Sequence, residues 1–173
     1  MDTSSLTIET ENLLVKSITP EYSQVIFTEF TPQVTVYMYP KPFDSIEGSI
    51  EFIKKSIKEN KAGTNFQCVV LKKDTGEFLG CAGVHNIGSK TPEFGIWIKK
   101  SAHGHGYGRE AVVGLKKWAD ENLDYDYILY PADRENIASR KIPEFLGGKI
   151  VKEYSEVNKS GKKLNIVEYR IYR

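Results

Sequence analysis

The stretch His103-Gly104-His105-Gly106-Tyr107-Gly108 stands between a short apolar segment, Glu93 to Ile98, and an amphipathic one, Tyr107 to Asp120. No other feature of the chain constrains its fold as much. Glycines at alternate positions let a backbone approach a ligand without Cβ obstruction. The helix that starts there offers unpaired N–H groups and about half a positive charge. A strand, a glycine turn and a helix N-terminus in succession suit phosphate. Two common phosphate loops fit poorly. The dinucleotide fingerprint needs a small residue where Arg109 follows Gly104-x-Gly106, and the Gly-Lys-Ser/Thr ending of the nucleoside-triphosphate loop is absent.

The rest of the chain supplies a sheet and helices around this unit. Leu6 to Ile18 predicts one strand, bent at Thr10-Glu11-Asn12. Thr19-Pro20 opens a helix that Pro32 closes. In the next helix Ile46, Ile50, Ile53 and Ile57 recur at helical spacing, Asp44 and Glu47 form a capping box, and Gly63 supplies the stop. Phe66 to Leu71 and Phe78 to Ile87 predict a hairpin around Lys73-Asp74-Thr75-Gly76. Its register pairs Lys72 with Glu77 and puts Cys68 directly across from Cys81. Glu93 to Ile98 and Tyr127 to Tyr130 predict buried strands, and Asn136 to Leu146 a helix. Lys149 to Val157 and Leu164 to Ile171 form a last hairpin around Asn158-Lys159-Ser160-Gly161. That order gives an α/β (α+β) fold, a mixed, mostly antiparallel twisted sheet of about seven strands with about four helices packed on it.

Charge and length exclude several alternatives. The 173 residues carry 24 Lys+Arg against 23 Asp+Glu, a formal net charge of +1, so no global field would hold a nucleic acid or an anionic membrane. No repeat or linker divides the chain, and residues 1–173 are expected to form a single domain with a core that needs no staples. No basic-then-apolar leader and no membrane-length apolar run occur, so a soluble, cytoplasmic protein is expected. Cys68 and Cys81 lack the companions of a zinc site and read as reduced, half-buried thiols. A metal held by His103, His105 and His85 would lack a carboxylate cluster, and the neighbouring glycines are better explained by phosphate.

Gly106 and Gly108 match the two glycines of R/Q-x-x-G-x-G/A, the pattern with which the GNAT superfamily of N-acetyltransferases seats the pyrophosphate of coenzyme A. Asn136-Ile137-Ala138-Ser139, continued to Glu144-Phe145-Leu146-Gly147, resembles the N-x-x-S…E-x-L-G segment of the RimJ/RimL branch. Glu11-Asn12-Leu13-Leu14-Val15-Lys16 resembles that branch's opening E-R-L-x-L-R strand, and Thr75-Gly76-Glu77-Phe78-Leu79-Gly80 its second hairpin. The chain departs from the pattern where His103 replaces Arg or Gln, Asn12 replaces Arg, Gly148 replaces an aromatic and Pro143 falls inside a helix.

The resemblance implies a GNAT fold splayed between its fourth and fifth strands, Glu93 to Ile98 and Tyr127 to Tyr130, with acetyl-CoA as co-substrate and no metal. It implies transfer of an acetyl group to a primary amine, on a protein N-terminus or a small molecule, by direct attack in a ternary complex. That reaction needs a neutral amine, a polarised carbonyl and a proton for the departing thiolate. By resemblance, the Trp97 N–H polarises the acetyl oxygen and Ile98 pairs with the pantetheine arm. The amides of His103, Gly104, His105, Gly106, Tyr107 and Gly108 hold the pyrophosphate, and Asn136 holds the pantetheine. Glu93 stands where relatives carry a general base, and a carboxylate at the entry of an apolar strand is desolvated toward a useful pKa. Ser139 stands where relatives place a hydroxyl near the sulfur. The aromatic loop from Val36 to Phe43 lies where acceptor specificity is built. A CoA-binding sensor without turnover is the alternative reading, and a nucleotide-binding domain a more distant one.

Overall fold

The computed structural model describes residues 1–173 and divides the N-terminal apolar run into two strands, β1 (Thr7–Glu9) and β2 (Leu13–Ser17), paired antiparallel. The bend expected at Thr10 to Asn12 is a full reversal because a distant carboxylate holds it. Glu110 accepts hydrogen bonds from Thr10 Oγ1 at 2.6 Å, Asn12 N at 2.7 Å and Asn12 Nδ2 at 3.1 Å. A 3-10 turn at Pro20–Tyr22 leads into α1 (Ser23–Glu29). Pro32 opens a short helix, α2 (Pro32–Thr35), where it was expected only to close one; the fixed φ of proline suits a first turn. In α3 (Ile46–Ala62) the N-cap is Ser45, because Asp44 is drawn away: both its carboxylate oxygens accept from Lys41 Nζ at 2.9 Å.

The remaining elements are β3 (Phe66–Lys72), β4 (Phe78–His85), β5 (Glu93–Ile98), α4 (Tyr107–Asn122), β6 (Tyr127–Asp133), α5 (Ile137–Phe145), β7 (Lys149–Val157) and β8 (Lys163–Tyr172). They complete an eight-stranded sheet in the order β1-β2-β3-β4-β5-β6-β8-β7. Every pairing is antiparallel except β5 with β6, which run parallel and are in register only at Glu93 and Leu129. Beyond that point the strands diverge. Two cores result. Phe66, Leu79, Val84 and Tyr130 pack with Val112 and Leu115 of α4 on one face, and Ile18, Val69 and Cys81 with Ile26 of α1 and Ile53 of α3 on the other.

The β3–β4 hairpin corrects the cysteine register. Lys72 N donates to Glu77 O at 2.8 Å, so the turn is as expected. Leu71 then pairs with Phe78 but Val70 pairs with Gly80, leaving Leu79 as the extra residue of a β-bulge. The slip sets Cys68 opposite Ala82 and Val69 opposite Cys81, so the two thiols belong to opposite faces of the sheet. Both are free and fully buried, where half-buried thiols were expected, and burial pushes both well above the usual thiol range. Glycine permits the bulge: a Cβ on Gly80 would lie 2.1 Å from the Trp97 carbonyl oxygen. The expectation that Glu93 to Ile98 is a buried strand also needs correction. Only Phe94 is fully buried, because β6 leaves the other edge of β5 open.

Candidate active site

The two edges of β5 differ, and the difference decides which amides face the gap. Lys99 N donates to Leu79 O at 2.7 Å, in the same register that pairs Trp97 with Cys81 and Gly95 with Gly83. Backbone groups of alternate residues point to the same edge of a strand. The Trp97 N–H therefore points into the sheet toward β4, and the expectation that it faces the gap was wrong by one residue. On the other edge, Leu129 N donates to Pro92 O at 2.8 Å. Past Phe94 no strand pairs there, so the N–H groups of Ile96 and Ile98 look into the space between β5 and β6.

That open edge runs into the glycine loop. Gly106, at φ 78°, is the N-cap of α4, a left-handed conformation that disfavours any other residue. The first helical amide taken within the chain is Glu110 N, bonded to Gly106 O at 3.0 Å, which leaves those of Tyr107, Gly108 and Arg109 at the positive end of the helix. Both imidazoles shape the turn. His103 Nε2 lies 2.7 Å from Ile98 O, and His105 Nδ1 lies 2.9 Å from His103 O; since a carbonyl only accepts, each of these nitrogens carries the proton. The His105 ring also stacks on Tyr107 at 5.4 Å between centroids. Gly108 faces the sheet, where an added Cβ would meet Ile98 at 3.5 Å and Ile142 at 3.6 Å.

Across the gap, α5 begins at the end of β6. Asn136 caps it, its Oδ1 accepting from Ser139 N at 3.3 Å. The Ser139 hydroxyl meets the hydroxyl of Tyr130 at 2.9 Å. Sequence reasoning passed over Tyr130, although a tyrosine on a buried strand must find a partner for its hydroxyl. Burial pushes that hydroxyl up to about 12, against the opposing bond to Ser139. Pro143, four residues on, has no N–H to offer the Ser139 carbonyl, so this helix forgoes one of its internal hydrogen bonds there.

On the opposite face of β5 lies a cavity of about 610 Å³. Phe30, Phe43, Phe52 and Trp97 wall it, and His85 and Gln67 form its polar floor. The Trp97 ring sits 5.0 Å from Phe30 and 5.8 Å from Phe78. The aromatic loop of the sequence is one wall, fixed from the far end of the sheet: Asn158 Nδ2 donates to Met38 O and Lys159 N to Tyr39 O, both at 3.0 Å. Glu93 heads β5 half-buried, and burial first, then Glu168 and Glu156, holds its carboxyl above the usual range. Glu93 and the Trp97 side chain thus share the cavity face of β5, while the loop, Asn136 and Ser139 border the gap at its edge. No group of three or more His, Cys, Asp or Glu side chains is gathered to hold a metal ion, and no helix is long and apolar enough to cross a membrane.

Comparison with known proteins agrees with this architecture. The family model of the acetyltransferase (GNAT) domain matches residues 12–149. An uncharacterized N-acetyltransferase, p20 of Bacillus licheniformis, is 25% identical over 139 residues, covering 79% of this chain and 78% of that protein. Among solved structures, the ribosomal-protein-S5-alanine acetyltransferase of Vibrio fischeri superposes with a TM-score of 0.83 at 18% identity, over 97% of each chain. A GCN5-related N-acetyltransferase from Brucella melitensis gives 0.81 at 15% identity, over 99% of this chain and 80% of that one. The microcin C7 self-immunity acetyltransferase MccE, solved with acetyl-CoA and AMP, gives 0.82 at 16% identity, over 95% of this chain and 94% of its own. A strand with one open edge, a glycine turn and a helix N-terminus, inside a family match that spans most of the sequence, leave one assignment: the chain belongs to the GNAT acetyltransferase family.

Proposed function

We propose that this protein transfers the acetyl group of acetyl-CoA to a primary amine by direct attack within a ternary complex, the whole of residues 1–173 acting as one domain. The observation that carries the reading is the open edge of β5, where the amides of Ile96 and Ile98 lead directly to the free amides of α4. In this reading the loop from His103 to Gly108 holds the pyrophosphate and the Ile98 amide and Asn136 hold the pantetheine. The Ile96 amide takes over from Trp97 as the donor to the acetyl oxygen. A donor fixed in a sheet before the reaction begins stabilises the developing oxyanion without reorganising.

The amine enters from the aromatic cavity. An ammonium group must lose a proton before its nitrogen can attack, and Glu93, raised by burial and by two neighbouring carboxylates, is suited to accept it. The thiolate that departs draws a proton from the Ser139–Tyr130 hydroxyl pair. The acceptor is a protein N-terminus or a small amine whose body suits a ring-lined wall. Thiol release from acetyl-CoA, followed over a panel of amines and N-terminal peptides, tests the assignment. Release that depends on an amine is the expected result. Tight acetyl-CoA binding without release from any acceptor would instead mark a CoA-binding sensor.

A further inference from the structure

His85 ends β4 directly opposite Glu93, yet its ring leans over the next strand. A Cβ on Gly95 would lie 3.0 Å from His85 Nε2 and 3.6 Å from Cδ2, and a Cβ on Gly83 would lie 3.4 Å from Cε1. Glycine at both positions makes a shallow bed for the ring, and at Gly95 any side chain would displace it. Nε2 therefore sits over Gly95, the residue before Ile96, on the face where the cavity opens. Neither ring nitrogen is engaged by a protein partner. An imidazole needed only to fill this space would do as well as a phenyl ring; one that faces a cavity with a nitrogen free has chemistry available to it.

The surroundings keep that nitrogen ready to accept a proton. Burial holds His85 below the usual imidazole pKa, with Glu59 of α3 opposing and Lys55 of α3 reinforcing the effect. The other groups toward it are Glu93 across the strands, Gln67 from β3, and the Cys81 thiol, which burial keeps protonated. Farther around the cavity stand the Lys41–Asp44 ion pair and Lys159.

We infer that His85 is a second proton acceptor of the reaction, taking the proton that leaves the attacking nitrogen as its bond to the acetyl carbon forms. The inference rests on the acetyl-transfer reading above. Between an ammonium ion and an amide the nitrogen gives up two protons. The first, lost before attack, goes to Glu93. As the nitrogen's electron pair forms the N–C bond, the C–S bond breaks with its electrons on sulfur. The second proton passes from nitrogen to His85 Nε2, and sulfur takes one from the Ser139–Tyr130 pair. His85 and Glu93 then release their protons to solvent through the cavity, and the Ser139–Tyr130 pair regains one from solvent through the gap, so that all three are restored for the next turnover.

The two bases are separable by pH. Steady-state rates for the unaltered protein, His85→Gln, His85→Phe and Glu93→Gln would be measured from about pH 5.5 to 9.5. The probes are acetyl-CoA with 2-phenylethylamine and with an alanine-initial peptide. Loss of His85 should lower kcat by about 10²–10⁴-fold, leave the KM for acetyl-CoA nearly unchanged, and alter the fall in rate on the acid side so that only the part due to Glu93 and the amine remains. The His85 deficit should persist at high pH, whereas that of Glu93→Gln should narrow as the amine becomes neutral by itself. An active parent whose His85 variants stay within about threefold, with the same acid limb, overturns the assignment. A parent that turns over neither of these probes nor any other acceptor of the panel overturns the acetyl-transfer reading and this inference with it. If both His85 variants unfold, the His85 imidazole resonance of the unaltered protein decides. A midpoint below about 6.5 that moves when CoA and 2-phenylethylamine are added together supports the inference. A midpoint at or above that value, unmoved by the pair, overturns it.

Discussion

The Tyr130 and Ser139 hydroxyls stand 2.9 Å apart, one on β6 and the other in the first turn of α5, so the two elements that border the gap beside β5 are bonded to each other. The pair joins a buried phenol to a half-exposed alcohol, which is a path for a proton from the interior to the gap. Tyr130→Phe keeps the packing and removes the donor. Its kcat should fall by about 10²-fold, the lower end of what a positioned proton donor contributes, with acetyl-CoA affinity preserved. Because the hydroxyls act as a unit, Tyr130→Phe combined with Ser139→Ala should be little slower than the worse single variant, which a double-mutant cycle on kcat would read.

Glu93 should cost stability in its half-buried setting at the head of β5. Its folded-state pKa is raised, by burial first and then by Glu168 and Glu156, so the protonated form is the one that folding favours. Below the unfolded-state value near 4.3 the carboxyl is protonated in both states and no penalty arises; as pH rises through the folded value the ionised group destabilises the fold. Glu93→Gln should therefore melt above the parent at pH 7, and the gap should close near pH 4. Thermal melts across that range check both the sign and the window.

Glu110 has the opposite sign. Burial raises its pKa, but the bonds from Thr10, the Asn12 amide and the Asn12 side chain outweigh it and leave the carboxyl below the usual range. Stability from this clamp is present above the unfolded pKa and is lost as pH falls through the folded one. Glu110→Ala should cost about 1–2 kcal/mol at pH 7, toward the low end for charged hydrogen bonds because the carboxylate is partly exposed. The difference from the parent should shrink by about pH 3, as urea titrations at the two pH values would show.

The hairpin and β5 mark where the sequence is legible and where it is not. Apolar periodicity located β5, α4 and β7 closely because each depends on its own residues. The Leu79 bulge escaped because the turn residues were read correctly and the slip lies past them, set by the close approach of Gly80 to the Trp97 carbonyl in another strand. The orientation of the Trp97 amide escaped for a related reason, since which edge an amide faces depends on the partner strand. The glycine loop was legible from its own residues, and Glu93, Asn136 and Ser139 through the family resemblance; the structure sets them along one strand and its open edge. Tyr130 and His85, the proposed proton donor and acceptor, were passed over because what distinguishes them is a neighbour distant in sequence, Ser139 for one and Gly95 for the other.

Gly80→Ala tests the bulge. A methyl group there would meet the Trp97 carbonyl at 2.1 Å, an approach that backbone on both sides prevents from relaxing. The substitution should destabilise by about 1–3 kcal/mol, as overpacking does, and lower the melting temperature by about 2–12 °C. Gly76→Ala, where no atom lies within 4 Å but φ is 72°, should cost only the backbone term of about 1–2 kcal/mol.

Amide hydrogen exchange along β5, with and without acetyl-CoA, reads out directly where the co-substrate lies. In the free protein the Trp97 amide, bonded into the sheet, should exchange slowly, and those of Ile96 and Ile98 quickly. Saturating acetyl-CoA should slow Ile96 and Ile98, together with Tyr107 and Gly108 at the start of α4, and leave Trp97 as it was. Binding that protects none of these amides, or that protects Trp97 while Ile96 and Ile98 stay fast, would contradict the placement of acetyl-CoA on the open edge of β5.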